Sequence, residues 1–526
     1  IMRFSKKFLI AILLILTASA FSNSLNNDFI GDDDTLFIAN NFYHSWANFP
    51  KLFTPRYSTN TNEAALYLSS GPQDLGSGSV AYRPVLSTTF FIDYGLWGGK
   101  PFGYHLTNFV LHLFNTVLVF GIIALILPNN SAAFFGAALF ALHPARSEAV
   151  CNIGYRADMA ACLFVLLSVF LYIQYRKDGS RKNFFGSLLS FFFAVFSKES
   201  AIVTPVILIG YDIFFADRKL SPAIKSAAQR YLPYFAVAAV YVFLYLKVFP
   251  NSAFAGTQYL GGTLSTHVKT MIVIFGQYLR DLIWPFSVRA LPPLYRPPLA
   301  ELTLLNILLS LAGLAGIIFI IFRSLRGGKI LAFFLLWFLL FFIPVANIVP
   351  LPNPMAYRFL YLPSVGFFAA LAILLEKVLS SSADKLRLPR LRVIGPTAVI
   401  AGYFLMTFPL NFLWKSNASY TLLLVKNFPN NPEAHFLAGL VFGRAGAKEQ
   451  AHKFFERALE LGSLDPRLLF ELGLILTQTD PSRARQIFEQ AIEFYPGMPS
   501  FHTGAARAAL FQGEIEKALS YSRKSL

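Results

Sequence analysis

Long apolar segments recur along the chain from its start to about residue 414. A helix that crosses a bilayer needs roughly 20 predominantly apolar residues. Segments of this kind predict about eleven spans, near 8–24, 105–127, 132–149, 157–175, 184–197, 200–216, 231–249, 303–322, 330–349, 357–376 and 394–414. Only 14% of the residues are charged, against roughly 25% in a soluble domain. We therefore expect an all-α protein built on a polytopic transmembrane bundle.

The distribution of basic residues predicts how this bundle is oriented. A formal net charge of +17 suggests nucleic-acid binding in a soluble protein, but here the basic residues cluster in short loops between apolar segments. Cytoplasmic loops of membrane proteins carry an excess of Lys and Arg. On this rule the basic loops near 176–182, 218–230, 323–329 and 377–392 are cytoplasmic. The long loop 25–104 and the C-terminus then lie outside, and we expect no nucleic-acid partner.

Two segments admit more than one interpretation. The first span follows three basic residues and contains Ala18-Ser19-Ala20, so it is either a cleavable signal peptide or a retained signal anchor. We favour the anchor, because the later helices would pack against it. The segment 268–285 is amphipathic and carries three charges, which predicts an outer interfacial or re-entrant helix rather than a span.

A repeat begins near residue 431. The pairs Asn431-Pro432, Asp465-Pro466 and Met498-Pro499 recur at spacings of 34 and 33 residues. A helix–turn–helix period of 34 residues is typical of tetratricopeptide (TPR) repeats. We therefore divide the chain into a membrane domain, 1–415, and a domain of about three TPR repeats, 416–526, which forms a small α-solenoid.

Charged residues collect in the predicted outer loops, where charge next to a bilayer is costly and tends to mark a site or an ion pair. Acids and bases on one face suit an anionic substrate and a proton acceptor. No ligand spacing demands a metal, and we expect no cofactor. The candidates are Asp32, Asp33, Asp34, Arg83, His143, Arg146, Glu148, Arg156, Asp158, Lys198, Glu199 and Arg358.

Several short motifs follow one another in a specific order. They are Tyr82-Arg83-Pro84-Val85, Gly103-Tyr104-His105-Leu106-Thr107-Asn108 with Leu111-His112 and Asn115, Ala141-Leu142-His143-Pro144 with Glu148-Ala149-Val150, Arg156-Ala157-Asp158, Lys198-Glu199 and Arg358-Phe359-Leu360-Tyr361-Leu362-Pro363-Ser364. With the TPR tail, this order resembles the transmembrane-and-TPR O-mannosyltransferase family and its bacterial relatives, which belong to the glycosyltransferase-C (GT-C) superfamily.

The resemblance implies a GT-C-like membrane domain that uses sugars on polyprenyl or dolichyl phosphate. It also implies that paired aspartates in the first outer loop are catalytic, which we carry onto Asp32 and Asp33. Gly31 stands where the family often has an aromatic residue, and Asp34 adds a third acid, so either aspartate may be assigned as the base. The other outer candidates, from Arg83 to Arg358, are then substrate-binding residues.

The chemistry of such a transfer needs few groups. A phosphate leaves as an anion, so nearby cations must stabilise the developing charge, and arginine binds phosphate best. The acceptor hydroxyl must lose a proton, which an aspartate accepts. A single displacement assisted by one carboxylate inverts the anomeric centre.

Each candidate also has a purely structural interpretation. In this interpretation the aspartates cap a helix that begins near Thr35, and His143 ends a helix before Pro144. Arg156 pairs with Glu148 or with Asp158, and Lys198-Glu199 forms a local ion pair. Arg358 lies at a helix start, where a cation is unfavourable to the helix dipole, so a specific anionic partner is expected there.

We expect a glycosyltransferase that moves a sugar, mannose by resemblance, from a polyprenyl-phosphate donor to a hydroxyl of a protein or glycan acceptor. The alternatives are a non-catalytic envelope protein that binds partners through its TPR repeats and a transporter of lipid-linked glycans. The resemblance and the short TPR favour a bacterial plasma membrane, with the site and the TPR on the extracytoplasmic side.

Overall fold

The computed structural model describes residues 5–31, 33–57, 81–215, 224–248, 259, 262–288, 302–348, 350, 353–385 and 390–525. These residues form helices and connecting turns, and the described part contains no β-strand. The chain divides into two compact units, Ile1–Lys415 and Ser416–Leu526. The all-α fold expected from the sequence is confirmed.

The first unit contains fourteen α-helices among the described residues. They are α1 (Lys6–Phe21), α2 (Pro84–Trp97), α3 (Pro101–Ile126), α4 (Asn130–Leu142), α5 (Arg146–Cys151), α6 (Arg156–Asp178), α7 (Arg181–Val195), α8 (Thr204–Phe215), α9 (Ile224–Phe243), α10 (Leu264–Ile283), α11 (Leu304–Ser324), α12 (Lys329–Phe342), α13 (Pro363–Lys385) and α14 (Leu391–Asn411).

Each of the eleven predicted spans coincides with one of these helices. Seven helical segments are long and apolar enough to cross a membrane, and two shorter apolar ones, Asn130–Leu142 and Lys329–Val345, accompany them. The protein is therefore an integral membrane protein, while the number of eleven crossings stays a prediction. The predicted amphipathic segment forms α10, and its position at the membrane surface also stays a prediction.

Two predicted spans contain a break that the apolar pattern does not reveal. The span expected at 132–149 ends at Leu142, because His143 adopts an extended conformation before Pro144, and a separate short helix follows. The span expected at 357–376 begins only at Pro363, after a 3₁₀ turn at Tyr357–Leu360. Both breaks place the charged motifs in turns between helices.

The first helix is an integral part of the bundle. Helix α1 packs against α3, α4 and α14. Its last residue, Phe21, is fully buried and meets the ring of His112 edge-on at 4.9 Å. The Asn411 side chain donates to the Ala20 carbonyl at 2.8 Å. The expectation that later helices pack against this segment agrees with these contacts.

Helix α3 carries a buried polar stripe through the centre of the unit. His105, Asn108, His112 and Asn115 are spaced by three and four residues and are all at most 1% exposed. Residues at such spacings share one face of a helix. This face contacts α6, α4 and the turn that contains α5. The stripe therefore fixes the loops that carry the charged motifs.

Helices α12 and α13 approach each other closely at Gly366. A Cβ atom at this position would lie 2.3 Å from the Phe334 carbonyl oxygen and 2.9 Å from the Phe338 backbone nitrogen. The obstructing atoms belong to the backbone, so no side-chain rotation can relieve the contact. Glycine is therefore required here for packing.

The second unit consists of seven helices. They are α15 (Asn417–Asn427), α16 (Pro432–Arg444), α17 (Lys448–Glu460), α18 (Pro466–Thr479), α19 (Pro481–Phe494), α20 (Pro499–Phe511) and α21 (Ile515–Ser525). The last six form three helical hairpins, as the repeat predicted. Gly439 faces the Phe455 ring and Gly473 faces the Phe488 ring, each too closely for a Cβ atom. Small residues thus let the paired helices stack over a shared aromatic core.

We predict that Gly366→Ala lowers the thermal stability of the detergent-purified protein strongly. Overpacking a close contact typically costs about 1–3 kcal/mol. Gly402→Ala, in α14, is the matched control, because a Cβ atom there would meet nothing within 4 Å. Equal melting temperatures for the two variants would contradict the close helix contact.

A second prediction concerns the TPR unit. Burial, with a contribution from the charge of Asp465, raises the pKa of Glu433 from 4.5 to about 7. The folded unit therefore holds this proton more tightly than the unfolded chain, and the stability it contributes is lost as the pH rises from about 4.5 to 7. Glu433→Gln should raise the melting temperature of residues 416–526 at pH 8 and leave it nearly unchanged at pH 4. Glu493→Gln, at an exposed carboxylate of the same unit, is the matched control.

Candidate active site

The polar stripe of α3 fastens the charged loops to the bundle. The Asn108 amide donates to the carbonyls of Val150 and Asn152 at 3.3 and 3.0 Å. His112 has its Nε2 3.0 Å from the Ala141 carbonyl and its Nδ1 2.6 Å from the Tyr361 hydroxyl. Because a carbonyl only accepts, Nε2 carries the proton and the Tyr361 hydroxyl donates to Nδ1. The turns at both ends of α5 and the start of α13 are held in this way.

Arg156 is completely buried and completely satisfied. Its Nη1 forms an ion pair with Asp93 Oδ2 at 2.6 Å and donates to Thr89 at 2.9 Å. Its Nε donates to Asn108 Oδ1 at 2.7 Å, and its Nη2 donates to the Tyr104 carbonyl at 2.9 Å. Arg156 pairs with neither Glu148 nor Asp158, the two carboxylates that sequence reasoning considered. It joins α2, α3 and α6 at one point.

Glu148 and Arg358 form a second buried pair. The Glu148 carboxylate accepts from the Arg358 guanidinium and from the backbone N–H groups of Tyr357 and Arg358. The guanidinium carbon lies 3.8 Å from the centre of the Tyr155 ring. The anionic partner expected near Arg358 from its place at a helix start is thus supplied by the protein itself.

The dipeptide Lys198-Glu199 joins two further pairs. Lys198 Nζ lies 2.6 Å from Asp158 Oδ1 and is buried. Glu199 binds Arg83 through two bonds, at 2.7 and 3.0 Å. Burial alone would raise the pKa of Glu199, but Arg83 opposes this and lowers it to about 2. The two residues bind different partners instead of each other.

The three ion pairs are neighbours. Asp158 interacts electrostatically with Arg83, Arg146 and Arg358 as well as with Lys198. The Arg83–Glu199 pair is the more accessible part of this cluster, with side chains that are 11% and 38% exposed. The structure therefore brings together most of the candidates that the sequence placed on the outer face.

Arg146 differs from the other cations. Its guanidinium donates to Ser364 at 3.0 Å and lies 5.1 Å from the centres of the Phe140 and Tyr361 rings. Among the described residues, its Nε and Nη1 have no hydrogen-bond partner. His143 is also fully buried, beside the rings of Phe368 and Tyr403. Neither residue is open to solvent.

Asp33 lies beside this cluster. Its two carboxylate oxygens accept from the backbone N–H groups of Ile30, at 3.2 Å, and Gly154, at 3.1 Å. Gly154 precedes Tyr155, on whose ring the Arg358 guanidinium rests. Asp33 is therefore buried and fixed in orientation. Asp32, the other predicted catalytic residue, lies outside the described residues.

Across the part of the chain that the structure describes, no group of three or more His, Cys, Asp or Glu side chains is arranged to hold a metal ion. The described residues of the cluster contribute carboxylates, guanidinium groups and an ammonium group.

Comparisons with known proteins follow the same motifs. The tetratricopeptide-repeat family model matches residues 438–499. The human protein O-mannosyl-transferase TMTC3 is 25% identical over 490 residues, which cover 86% of this chain and 50% of the relative. A Drosophila melanogaster relative named protein O-mannosyl-transferase Tmtc1 is 36% identical over 133 residues, which cover 25% of this chain and 15% of the relative.

The chain is similar to proteins named TMTC protein O-mannosyl-transferases. The resemblance inferred from its motifs is thereby confirmed. The chain spans about half the length, or less, of the curated relatives it matches. Among solved structures, ArnT from Cupriavidus metallidurans bound to undecaprenyl phosphate matches with a TM-score of 0.38 and 12% identity, over 99% of this chain and 78% of that one.

The sequence indicates the candidate residues of the site better than it indicates their partners. Asp93, which neutralises Arg156, lies in a helix within the predicted first loop and carries no motif that singles it out. Asn108, His112 and Asn115 were noted only as parts of a motif. Their spacing on one face of a predicted span is a signal that a buried polar contact surface lies there.

We predict that Asp93→Asn destabilises the protein severely. The substitution leaves the fully buried Arg156 without a counter-charge, and breaking one partner of a buried pair costs about 3–5 kcal/mol. Glu199→Gln is the matched control, because the Glu199 side chain is 38% exposed and water can take its place beside Arg83, so a smaller loss of stability is expected. Melting of both variants in detergent measures the difference. Similar losses would show that Arg156 is not the structural anchor of the site.

Proposed function

We propose that the protein is a membrane glycosyltransferase that moves a sugar from a polyprenyl-phosphate donor to a hydroxyl acceptor. The observation that carries this proposal is the convergence of Arg83, Lys198 and Arg358 on one cluster beside the fixed carboxylate of Asp33. These cations come from three separate segments of the chain, and each already binds an anionic group. Anion-binding groups next to a proton acceptor are what phosphate departure and hydroxyl attack require.

The Arg83–Glu199 pair suits the first contact with the donor phosphate. A guanidinium that binds a carboxylate through two bonds has the geometry to bind a phosphate in the same way. The exposed part of Glu199 lets an incoming anion replace it at Arg83. Lys198 and Arg358 lie behind this pair, where charge that develops on the leaving phosphate would be stabilised.

The carboxylate that accepts the hydroxyl proton is Asp32 or Asp33. The backbone N–H groups of Ile30 and Gly154 donate to the Asp33 carboxylate and fix its orientation beside the cluster. Single displacement with this base inverts the sugar centre, and the step needs neither a metal nor a cofactor.

The finer assignments rest on the names of the relatives and on the sequence. Mannose as the sugar and protein Ser or Thr as the acceptor follow from relatives named protein O-mannosyl-transferases. We further propose a bacterial plasma membrane with the site on its extracytoplasmic side, because the basic loops lie opposite. The TPR unit would present an acceptor or a partner protein, since stacked helical repeats form extended binding surfaces.

We predict that Asp32→Asn and Asp33→Asn lower the rate of transfer from a labelled mannosyl lipid phosphate to a Ser/Thr peptide in proteoliposomes. Loss of a general base is typically worth about a hundredfold to ten-thousandfold. Asp28→Asn is the control, because Asp28 belongs to the same loop and is exposed. Each variant is first checked for monodisperse elution in detergent.

The same measurement separates the alternatives. Undiminished transfer by both single variants and the double variant would remove the aspartates from the mechanism. An absence of transfer by the folded wild-type protein from a panel of polyprenyl-phosphate sugars would favour a non-catalytic TPR protein or a transporter of lipid-linked glycans.

A further inference from the structure

One buried hydroxyl group of the membrane unit, that of Tyr241 in α9, lacks a bonding partner. The Tyr241 side chain is 2% exposed. Among the described residues, no group accepts a hydrogen bond from this hydroxyl or donates one to it. Nearly all buried polar groups in folded proteins are hydrogen-bonded, and an unpaired one lowers stability. The buried position of the Tyr241 hydroxyl therefore needs a physical reason.

Tyr234, which lies two turns earlier on α9, shows how a structural tyrosine is accommodated in this bundle. Its side chain is fully buried, and its hydroxyl donates to Ser187 Oγ at 2.7 Å. The Ser187 hydroxyl in turn donates to the Ser168 carbonyl at 2.7 Å. Residues seven positions apart share one face of a helix, so both tyrosines point into the bundle. Only the Tyr234 hydroxyl contributes a bond to its packing.

Packing places the Tyr241 ring beside the charged cluster. The ring meets the Phe196 ring edge-on, with 5.3 Å between their centres. The Phe196 ring also lies 6.1 Å from the Tyr82 ring, and the Phe196 carbonyl accepts from the Val85 backbone N–H at 3.2 Å. Tyr82 and Val85 lie on either side of Arg83 in the sequence. Phe196 thus joins Tyr241 to the segment that carries Arg83.

Tyr241 interacts electrostatically with both members of the Arg83–Glu199 pair. This pair is the more accessible part of the charged cluster. The Glu199 carboxylate is bound by Arg83 through two bonds, and it forms none with the Tyr241 hydroxyl. An anion that took the place of Glu199 at Arg83 would therefore lie near a hydroxyl that still has a hydrogen to donate.

We propose that the Tyr241 hydroxyl donates a hydrogen bond to the phosphate of the lipid-phosphate donor when that phosphate is bound at Arg83. This role of Tyr241 rests on the proposed function and adds to it a residue that belongs to none of the sequence motifs. A hydrogen bond to an ionised oxygen is shorter and stronger than one between neutral groups. The phosphate supplies the partner that the described residues do not, so the loss of stability at Tyr241 is offset when the donor binds.

A neutral donor suits this position on α9. Residues 228–248 are long and apolar enough to cross the membrane. The cations Arg83, Lys198 and Arg358 come from other segments, and each is paired with a carboxylate. A further charge on an apolar membrane helix would need its own partner, because an unpaired charge is costly there. A phenol hydroxyl instead adds a directed hydrogen bond without adding a charge.

Melting of the detergent-purified protein in rising concentrations of farnesyl phosphate measures stability and binding together. Farnesol, which has the same chain without the phosphate, is the reference for binding of the chain alone. Tyr241→Phe removes only the hydroxyl oxygen and keeps the ring that contacts Phe196. Tyr234→Phe, which removes a hydrogen-bonded hydroxyl from the same face of α9, is the matched control.

We expect the Tyr241→Phe variant to melt at the wild-type temperature or higher without farnesyl phosphate, because no hydrogen bond within the protein is lost. Its apparent affinity for farnesyl phosphate should fall roughly tenfold to a hundredfold, which corresponds to the loss of one hydrogen bond to a charged group. The Tyr234→Phe variant should show the opposite pattern, with a lower melting temperature and an unchanged affinity.

Equal affinities of the wild type and of Tyr241→Phe for farnesyl phosphate would overturn the role of Tyr241 alone. A fall in melting temperature as large as that of Tyr234→Phe would also overturn it, because the hydroxyl would then have a partner in the folded protein. A wild-type protein that is stabilised no more by farnesyl phosphate than by farnesol would instead overturn the proposed donor site, and the role of Tyr241 with it.

Discussion

Arg156 carries a buried charge into the helical bundle, and the segments that hold the charged cluster are arranged around it. An unpaired charge in such surroundings would cost several kcal/mol or more. Each nitrogen of its guanidinium therefore has a partner. Asp93 and Thr89 belong to α2, and Asn108 and the Tyr104 carbonyl belong to α3. The first loop is thereby anchored to the bundle through one residue, and the neighbouring charges occupy defined positions because their supporting segments do.

The other charges form a compact group of pairs rather than isolated sites. Glu148 with Arg358, Asp158 with Lys198 and Glu199 with Arg83 join segments that are far apart in the sequence. Each cation of these three pairs is neutralised by a carboxylate of the protein, which allows the pairs to lie at the edge of an apolar bundle.

The sequence predicts the helices well because hydrophobic length and a 34-residue repeat are local signals. Two predicted spans, 132–149 and 357–376, contain a break next to Pro144 and Pro363. The apolar pattern does not reveal these breaks, because it continues across them. The candidate residues assemble largely as the motif order implied. Their pairing could not be predicted, because Asp93 and Arg156 are 63 positions apart and several carboxylates were equally plausible partners. Asp32, on which the chemistry partly depends, is outside the described residues.

Lys198 and Glu199 are adjacent residues of opposite charge, and they connect two different helices to one point of the chain. Lys198 binds Asp158 at the start of α6, and Glu199 binds Arg83 just before α2. Any motion that separates these two helices therefore stretches both ion pairs. The bond to Arg83 reaches water, which can replace it, whereas the bond to Asp158 is buried and has no substitute. The solvent-accessible pair would thus break before the buried pair. The first loop would separate from the dipeptide while the bundle stays closed, which confines the strain to that loop.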